Sequence, residues 1–192
     1  MSKDFSNTAL IIIDVQKAFE DEKWGIRNNL NAEDNIQVLL KTWREKKYPI
    51  IHIQHLSDND QSVFHPSKLS SDFKDVAAPA ENEMIFKKKV NSAFIGTGLE
   101  KYLKENQIEK VVIVGLTTPH CVSTTTRMSG NLGFKTYLVS DATAAFAIKG
   151  VDNTYYSAEQ IHNVSLATLD NEFATVLTTK ELLQNLSEEI KA

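Results

Sequence analysis

The chain has 192 residues, a length that suits one domain over residues 1–192 and allows a hydrophobic core. Its 21 basic and 25 acidic residues give a formal net charge of -4, so the charge offers no general attraction for nucleic acid or anionic lipid. One cysteine excludes an internal disulfide, no apolar run is long enough to cross a bilayer, and residues 1–6 lack the layout of a secretory signal. We therefore expect a soluble cytoplasmic protein that binds neither nucleic acid nor membranes.

Short apolar runs rich in β-branched residues predict five buried β-strands. In chain order the runs cover residues 9–13, 50–53, 111–114, 136–139 and 174–177. Unbroken apolar runs of this kind are typical of strands that are covered on both faces. No Gly-x-Gly-x-x-Gly follows the first run, which argues against a dinucleotide-binding oxidoreductase.

Helices are predicted between these strands from apolar spacing, caps and breakers. The predicted helices span residues 31–46, 98–106, 121–131 and 157–171. Alternating strands and helices indicate a mostly parallel sheet with helices on both faces. The long polar segment over residues 57–82 is the exception, and we interpret it either as a functional or interface-forming excursion or as a plain surface loop.

The only cysteine, Cys121, follows the third predicted strand at the point where a helix is expected to begin. Ligands in open α/β sheets bind at the carboxyl ends of strands, so this position favours a nucleophile over a buried apolar filler. Unpaired N–H groups at a helix N-terminus stabilise a thiolate. We therefore expect a lowered pKa for the Cys121 thiol.

Two further charged positions follow apolar runs. Asp14 comes directly after the first predicted strand, where its alternative role is an N-cap or a turn. Lys87, Lys88 and Lys89 follow the apolar residues 84–86, and we expect at most one of them to turn inward. If the three segments converge, an acid, a base and a thiol meet at one edge of the sheet, as nucleophilic catalysis requires.

Three separated motifs carry a family resemblance. They are Ile-Asp-Val-Gln-x-x-Phe at residues 13–19, Lys-x-x-x-Ser-Ala-Phe at residues 88–94, and the turn from Gly115 to Cys121. In this order, and over nearly the whole chain, they resemble the isochorismatase-like cysteine hydrolase superfamily. The resemblance implies a three-layer Rossmann-like α/β fold with a six-stranded, mainly parallel sheet flanked by helices. It also implies a homo-oligomer, either a dimer or a tetramer.

The same resemblance implies site residues and a reaction. The triad would be Asp14, Lys88 and Cys121, with a cis peptide bond between Leu116 and Thr117 and an oxyanion hole formed by the amides of Thr117 and Cys121. Because true isochorismatases cleave a vinyl ether without a catalytic cysteine, Cys121 favours the branch of the family that hydrolyses amide or ureido C–N bonds of small molecules through a thioester.

Less specific signals suggest the walls of a substrate pocket. The candidate substrate-binding residues are Gln16, Phe19, Trp24, Phe94, His120 and Phe146. Arg27 is a further polar candidate, although aromatic residues are as often part of the core and arginines are usually on the surface.

Two alternatives stay open. A nicotinamidase-type amidase would use a metal, for which His52, His55 and a carboxylate of Asp58 or Asp60 offer suitable ligands. We nevertheless expect no metal and no cofactor, because polar residues on a buried strand are usually hydrogen-bonded core groups. A non-catalytic binding or regulatory module on the same fold is the other alternative, and it predicts an unreactive thiol.

Overall fold

A parallel sheet of six strands forms the middle layer of the structure, a computed structural model that describes Phe5 and residues 7–188. The strands of the chain are β1 (Thr8–Ile13), β2 (Ile50–His55), β3 (Met84–Lys88), β4 (Lys110–Leu116), β5 (Lys135–Ala144), β6 (Ile148–Lys149), β7 (Tyr155–Tyr156) and β8 (Thr175–Leu177). The six-stranded sheet has the order β3-β2-β1-β4-β5-β8, and β6 and β7 form a separate antiparallel hairpin. The rest of residues 1–6, from which we predicted the lack of a secretory signal, lies outside the described residues.

Helices cover both faces of this sheet. They are α1 (Ala32–Lys46), α2 (Leu99–Glu105), α3 (Ser123–Asn131), α4 (Ala158–Ala167) and α5 (Thr179–Glu188). Leu10 and Ile12 of β1 pack with α1 and α5, whereas Ile11 and Ile13 pack on the opposite face with α2 and α3. Every residue of β1 is therefore buried, which explains its unbroken apolar sequence. The predicted fold class is confirmed. None of the helices in the described part of the chain is long and apolar enough to span a membrane.

Several elements of the structure differ from the prediction. β3 was not predicted as a buried strand because it is an edge strand, paired only with β2, and alternate residues in it are exposed. The helix predicted over residues 121–131 begins at Ser123, since Thr118–Val122 form a wider π-helical turn ahead of it. The helix predicted to reach residue 171 ends at Ala167, where the chain turns to bring Asp170 beside Ala174 at the start of β8.

The order of the strands creates a crevice at the carboxyl edge of the sheet. The chain moves outward from β1 through β2 to β3, and then crosses back to place β4 on the other side of β1. The segments that follow β1 and β4 thus lead to opposite sides of the sheet. In open α/β sheets, ligands bind in the crevice between two such neighbouring strands. Gly115 of β4 has a φ of +122°, and a Cβ there would lie 2.1 Å from the carbonyl oxygen of Ile13. Only glycine permits this close approach of the two strands.

Candidate active site

Asp14, Lys88 and Cys121 converge at this crevice. Lys88 Nζ lies 2.6 Å from Asp14 Oδ2 and 3.3 Å from Cys121 Sγ. Asp14 follows β1 with a left-handed φ of +50°, Lys88 is the last residue of β3, and Cys121 lies in the π-helical turn before α3. Of the three consecutive lysines, Lys88 alone is buried, whereas Lys87 and Lys89 are exposed. The lysine that the motif indicated is therefore the one that reaches the crevice, and its catalytic role stays a prediction.

His55, the last residue of β2, completes the surroundings of the ammonium group. Its Nδ1 lies 3.1 Å from Lys88 Nζ, so the three N–H bonds of Lys88 have three acceptors in Asp14, Cys121 and His55. Because Nδ1 accepts this bond, the imidazole proton is assigned to Nε2. Burial, and then the charge of Lys88, lowers the pKa of His55 to about 4, so this imidazole is neutral at pH 7. The sequence suggested His55 only as a metal ligand.

The metal site suggested by His52 and His55 is not assembled. His52 lies on the opposite face of β2, where its Nε2 is 2.8 Å from Glu83 Oε2. The two nearby carboxylates are also engaged elsewhere, since Asp58 lies 2.6 Å from Lys89 Nζ and Asp60 accepts a hydrogen bond from Gln61. His52, His55, Asp58 and Asp60 therefore do not form the metal site that the nicotinamidase-type alternative would need.

A second set of possible metal ligands lies at the crevice itself. Ligand atoms of Asp14, His55 and Cys121 lie within 4.8 Å of one another. The ammonium group of Lys88 is within hydrogen-bond distance of all three residues. A cation bound among them would meet this positive charge at close range, so the donor set does not fit a metal ion.

Burial governs the protonation of the acid and the thiol. It raises the pKa of Asp14 above its ordinary value even though Lys88 opposes the shift. Asp14 Oδ1 is fully buried and has no hydrogen-bond partner among the residues that the structure describes. Burial, followed by the charge of Asp14, raises the pKa of the Cys121 thiol to about 12. The expectation of a lowered thiol pKa is wrong, because desolvation and a neighbouring carboxylate outweigh the helix N-terminus.

A cavity of about 250 Å³, here called the inner cavity, opens beside Cys121. Its lining residues are Asp14, Phe19, Trp24, His55, Phe64, Asn91, Thr117, His120 and Cys121. Phe19 and Trp24 lie on two short 3₁₀ helices, Lys17–Glu20 and Glu22–Trp24, and their ring centroids are 5.2 Å apart. Phe19, Trp24 and His120 thus lie where we predicted a pocket wall, and their role in binding substrate stays a prediction.

Two lining residues were missed by the sequence analysis. Phe64 comes from the 57–82 segment, and its ring centroid lies 5.3 Å from that of Phe19. The segment therefore contributes part of the cavity wall. Asn91 lies within the lysine motif, and its Oδ1 is 3.9 Å from Cys121 Sγ. Its place between Lys88 and Ser92 within that motif was the one available signal.

The predicted oxyanion hole lies in the turn that carries the cysteine. The peptide bond between Leu116 and Thr117 is cis. The carbonyl oxygen of Thr117 accepts hydrogen bonds from the backbone N–H groups of His120 and Val122, at 3.1 and 3.3 Å, which closes the turn. Thr117 and Cys121 both line the inner cavity. The use of their amides to bind an oxyanion stays a prediction.

Gln16 and Phe94 are not part of the cavity wall, in contrast to the prediction. Gln16 is fully buried, and its side-chain amide bonds the backbone of His55 twice, accepting from N at 2.8 Å and donating to O at 3.0 Å. It also donates to the carbonyl oxygen of Ser71 at 2.7 Å. Gln16 therefore holds the end of β2 against the 57–82 segment. Phe94 packs in the core, stacked on Phe134 with the ring centroids 5.9 Å apart.

Phe146 and Arg27 do not line the inner cavity, and a role of Phe146 in binding substrate stays a prediction. Phe146 stacks on Trp24, with the ring centroids 5.8 Å apart, and lines a neighbouring cavity of about 280 Å³, here called the outer cavity. The outer cavity is lined by Lys23, Trp24, Thr117, Pro119, His120, Phe146, Ala147, Ile148 and Lys149. Arg27 forms a two-pronged ion pair with Glu33, at 2.8 and 2.6 Å. Burial would raise the pKa of Glu33, but hydrogen bonds from Arg27 and Lys74 lower it to about 2. Glu33 is therefore ionised, and the Arg27 guanidinium pairs with it instead of facing either cavity.

Comparison with known proteins agrees with this geometry. The family model of the isochorismatase domain matches residues 8–181. The chain is 60% identical over 177 residues to the uncharacterized isochorismatase family protein YrdC of Bacillus subtilis, which covers 92% of this chain and 95% of that protein. It is 25% identical over 170 residues to N-carbamoylsarcosine amidase of an Arthrobacter species, covering 79% of this chain and 60% of that protein.

A solved structure extends the similarity to the whole fold. The crystal structure of an isochorismatase family protein from Chromobacterium violaceum matches with a TM-score of 0.93 and 37% sequence identity, covering 95% of this chain and 94% of that chain. The family match, the sequence relatives and the shared fold agree with one another. The chain therefore belongs to the isochorismatase family and is an isochorismatase-family hydrolase.

Proposed function

We propose that this protein hydrolyses a C–N bond in a small amide or ureido compound, with Cys121 as the nucleophile. The observation that carries the proposal is the position of Lys88 Nζ, which is 2.6 Å from Asp14 Oδ2 and 3.3 Å from Cys121 Sγ beside the inner cavity. A thiol, an acid and a cation in one partly apolar cavity are the components of covalent catalysis. The similarity to N-carbamoylsarcosine amidase supports a C–N bond as the target.

Asp14 is the proposed acceptor of the thiol proton. Its Oδ1 is buried without a hydrogen-bond partner among the described residues, and its raised pKa makes the carboxylate a stronger base than an exposed aspartate. The Cys121 thiol, with a pKa of about 12, does not ionise to solvent at neutral pH. Moving its proton to Asp14 removes the carboxylate charge that helped to raise that pKa. The reactive form is therefore a thiolate beside a protonated Asp14.

Lys88 stabilises this form without taking part in the proton transfer. Its ammonium group donates to the sulfur, and it does so in a buried site where a charge-assisted hydrogen bond is strong. His55 accepts the third N–H bond while remaining neutral. The ammonium group is thus held in place without a second negative charge that would compete with the thiolate.

The proposed reaction proceeds in two stages. The sulfur of Cys121 attacks the carbonyl carbon, and the N–H groups of Thr117 and Cys121 bind the oxyanion of the tetrahedral intermediate. The C–N bond then breaks, the leaving nitrogen takes the proton from Asp14, and a thioester remains on Cys121. Water next attacks the thioester carbonyl and gives its proton back through Asp14, which restores the thiol. The net reaction adds one water to one amide.

A panel of amides and ureido compounds tests this function. The purified protein should release ammonia or an amine from at least one of them, with the matching acid identified by mass spectrometry. Brief reaction followed by acid quench should also trap an acyl group on Cys121, seen as a mass increase of the intact protein. A folded protein that turns over no compound and traps no acyl group would contradict the proposal.

The pH dependence of Cys121 alkylation tests the proton transfer. Because the thiol proton moves to Asp14 rather than to solvent, the rate of reaction with iodoacetamide should change little between about pH 6 and pH 9. A free cysteine gains about tenfold per pH unit below its pKa. At lower pH the wild-type rate should fall. Asp14, whose pKa is raised, then takes a proton from solvent and can no longer accept the proton of the Cys121 thiol.

The Asp14→Asn variant is the matched control for this measurement, since it keeps the shape of the side chain and removes the proton acceptor. In this variant the thiol must ionise to solvent, so its alkylation rate should rise with pH over the range in which the wild-type rate stays nearly constant. A wild-type rate that rises steeply through pH 9, as for a free thiol, would rule out the internal transfer. An unreactive Cys121 in the wild type would instead favour a non-catalytic module.

A further inference from the structure

The inner and outer cavities are neighbours. They share three lining residues, Trp24, Thr117 and His120, so a ligand longer than the inner cavity would extend past these residues toward the outer one. Thr117 Oγ1 and His120 Nδ1 lie 3.0 Å apart at this junction. With about 250 Å³ and about 280 Å³, each cavity is small for a complete ligand site, whereas the two together reach the ordinary range.

The two cavities differ in charge. The inner cavity is lined by Asp14 and by the aromatic rings of Phe19, Trp24 and Phe64, and the N–H bonds of Lys88 are all engaged. An anionic group placed there would face the Asp14 carboxylate or the Cys121 thiolate with no free cation beside it. The inner cavity therefore favours an uncharged, flat group.

The outer cavity has the opposite character. Two of its lining residues are lysines, Lys23 and Lys149, and none of its nine described lining residues is acidic. Lys149 has no ion-pair partner in the described part of the chain. Lys23 Nζ lies 3.8 Å from Asp21 Oδ2, longer than a hydrogen bond, and 5.2 Å from the Trp24 ring centroid. The ammonium group of Lys149 is therefore available to a ligand, whereas that of Lys23 is shared with the Asp21 carboxylate and the Trp24 ring.

The backbone beneath Lys149 is held to the rest of the rim. Lys149 belongs to the β6–β7 hairpin, in which it pairs with Tyr155. The backbone N–H of Ala147, just before the hairpin, donates to the carbonyl oxygen of Ile26 at 2.9 Å. The strand that carries Lys149 is thus anchored on two sides, which fixes the backbone of this residue beside the outer cavity.

We propose that the outer cavity is a subsite for an anionic group of the substrate. The substrate would then be an elongated amide, with its reacting carbonyl at Cys121, an uncharged flat portion beside Trp24, and a carboxylate or similar anion near Lys149 and Lys23. The position of the reacting carbonyl rests on the proposed function. The preference of the outer cavity for an anion rests on its own lining residues.

A matched pair of Cys121 alkylating agents tests the subsite. N-phenylchloroacetamide is uncharged, and 4-(chloroacetamido)benzoate carries a carboxylate on the far side of the same ring. In both, the Cys121 sulfur bonds to the CH₂ carbon, chloride leaves with the electrons of the C–Cl bond, and the thiol proton passes to Asp14. The measurement is kinact/KI for each agent, expressed as the ratio of anionic to neutral agent and divided by the same ratio for free cysteine.

The ratio is expected to be about threefold to fivefold in the wild type, the range of a partly exposed ion pair. In Lys149→Glu it should fall below one, because attraction becomes repulsion. Lys101→Glu changes the net charge equally on the exposed surface of α2, at a residue 78% exposed, and should keep the wild-type ratio. A wild-type ratio of one or less, or equal ratios in the two variants, would overturn the subsite.

A binding measurement separates this proposal from the proposed function. If neither agent labels Cys121, that result counts against Cys121 as the nucleophile. The subsite is then tested with analogues that have no alkylating group. Acetanilide and 4-acetamidobenzoate can be titrated against the fluorescence of Trp24, since Trp43, the other tryptophan, is fully buried in the core. The anionic analogue should bind about threefold more tightly in the wild type and lose this advantage in Lys149→Glu. Equal dissociation constants would overturn the subsite whatever Cys121 does.

Discussion

The Cys121→Ala variant is expected to lose hydrolysis of every substrate found in the amide panel, with kcat falling by at least about 10³-fold. Without the sulfur no thioester forms, and neither Asp14 nor Lys88 replaces it as a nucleophile. The measurement is the rate of ammonia or amine release under saturating substrate. Because alanine removes one buried atom, the fold should persist, and far-ultraviolet circular dichroism of the variant checks this.

Substrate binding should survive in the same variant. The inner cavity keeps its aromatic wall, so the dissociation constant of a substrate, followed by Trp24 fluorescence, should stay within about threefold of the wild-type value. A Cys121→Ala protein that hydrolyses its substrate at the wild-type rate would eliminate covalent catalysis. A protein that is folded but no longer binds substrate would show that the sulfur serves recognition instead.

The second large effect is expected from the buried ion pair of Lys88 and Asp14. Their side chains are 0% and 1% exposed, and Lys88→Met would leave the Asp14 carboxylate buried without its partner. We expect the free energy of unfolding to fall by about 3–5 kcal/mol at pH 7, along with loss of activity. Urea denaturation followed by circular dichroism measures the loss. Lys89→Met is the matched control, because its pair with Asp58 is mostly exposed and should contribute less than about 1 kcal/mol.

The double variant Asp14→Asn/Lys88→Met distinguishes the cost of an unpaired buried charge from the other effects of losing Lys88. It buries no unpaired charge, so part of the lost stability should return while activity stays absent. The loss in Lys88→Met should also shrink as the pH falls. Lys88 opposes the effect of burial on the pKa of Asp14, so its removal raises that pKa further in the folded variant, and the variant gains more stability toward acid than the wild type does. A Lys88→Met protein as stable as Lys89→Met would show that the pair is not buried as described.

The central strands and the places of two of the proposed reacting groups were predictable because their signals are local. β1 and β4 are covered on both faces and are therefore apolar at nearly every position, and the residues that follow such strands lie at one edge of the sheet. Asp14 and Cys121 could be placed by this rule alone. Lys88 needed the family motif, because β3 is an exposed edge strand and three adjacent lysines look alike in sequence.

The remaining features depend on contacts between distant parts of the chain. Gln16 comes two residues after Asp14 and has a polar side chain of the kind that binds substrates. Its hydrogen-bond partners, however, are the backbones of His55 on β2 and of Ser71, so it holds these two segments together. The pKa of Cys121 was predicted in the wrong direction for the same reason. A helix start is visible in sequence, whereas the burial that dominates this pKa is produced by packing.

The position of Phe64 has a consequence for how such proteins diversify. Asp14, Lys88 and Cys121 lie at or just after strand ends, whereas Phe64 belongs to the 57–82 segment, whose helices and strands within the described chain are limited to short 3₁₀ helices. Substitutions at Phe64 would therefore reshape one wall of the inner cavity without changing the residues that carry the carboxylate, the ammonium group and the sulfur. Variation at this single position offers a route by which related chains could come to accept ligands of different shape.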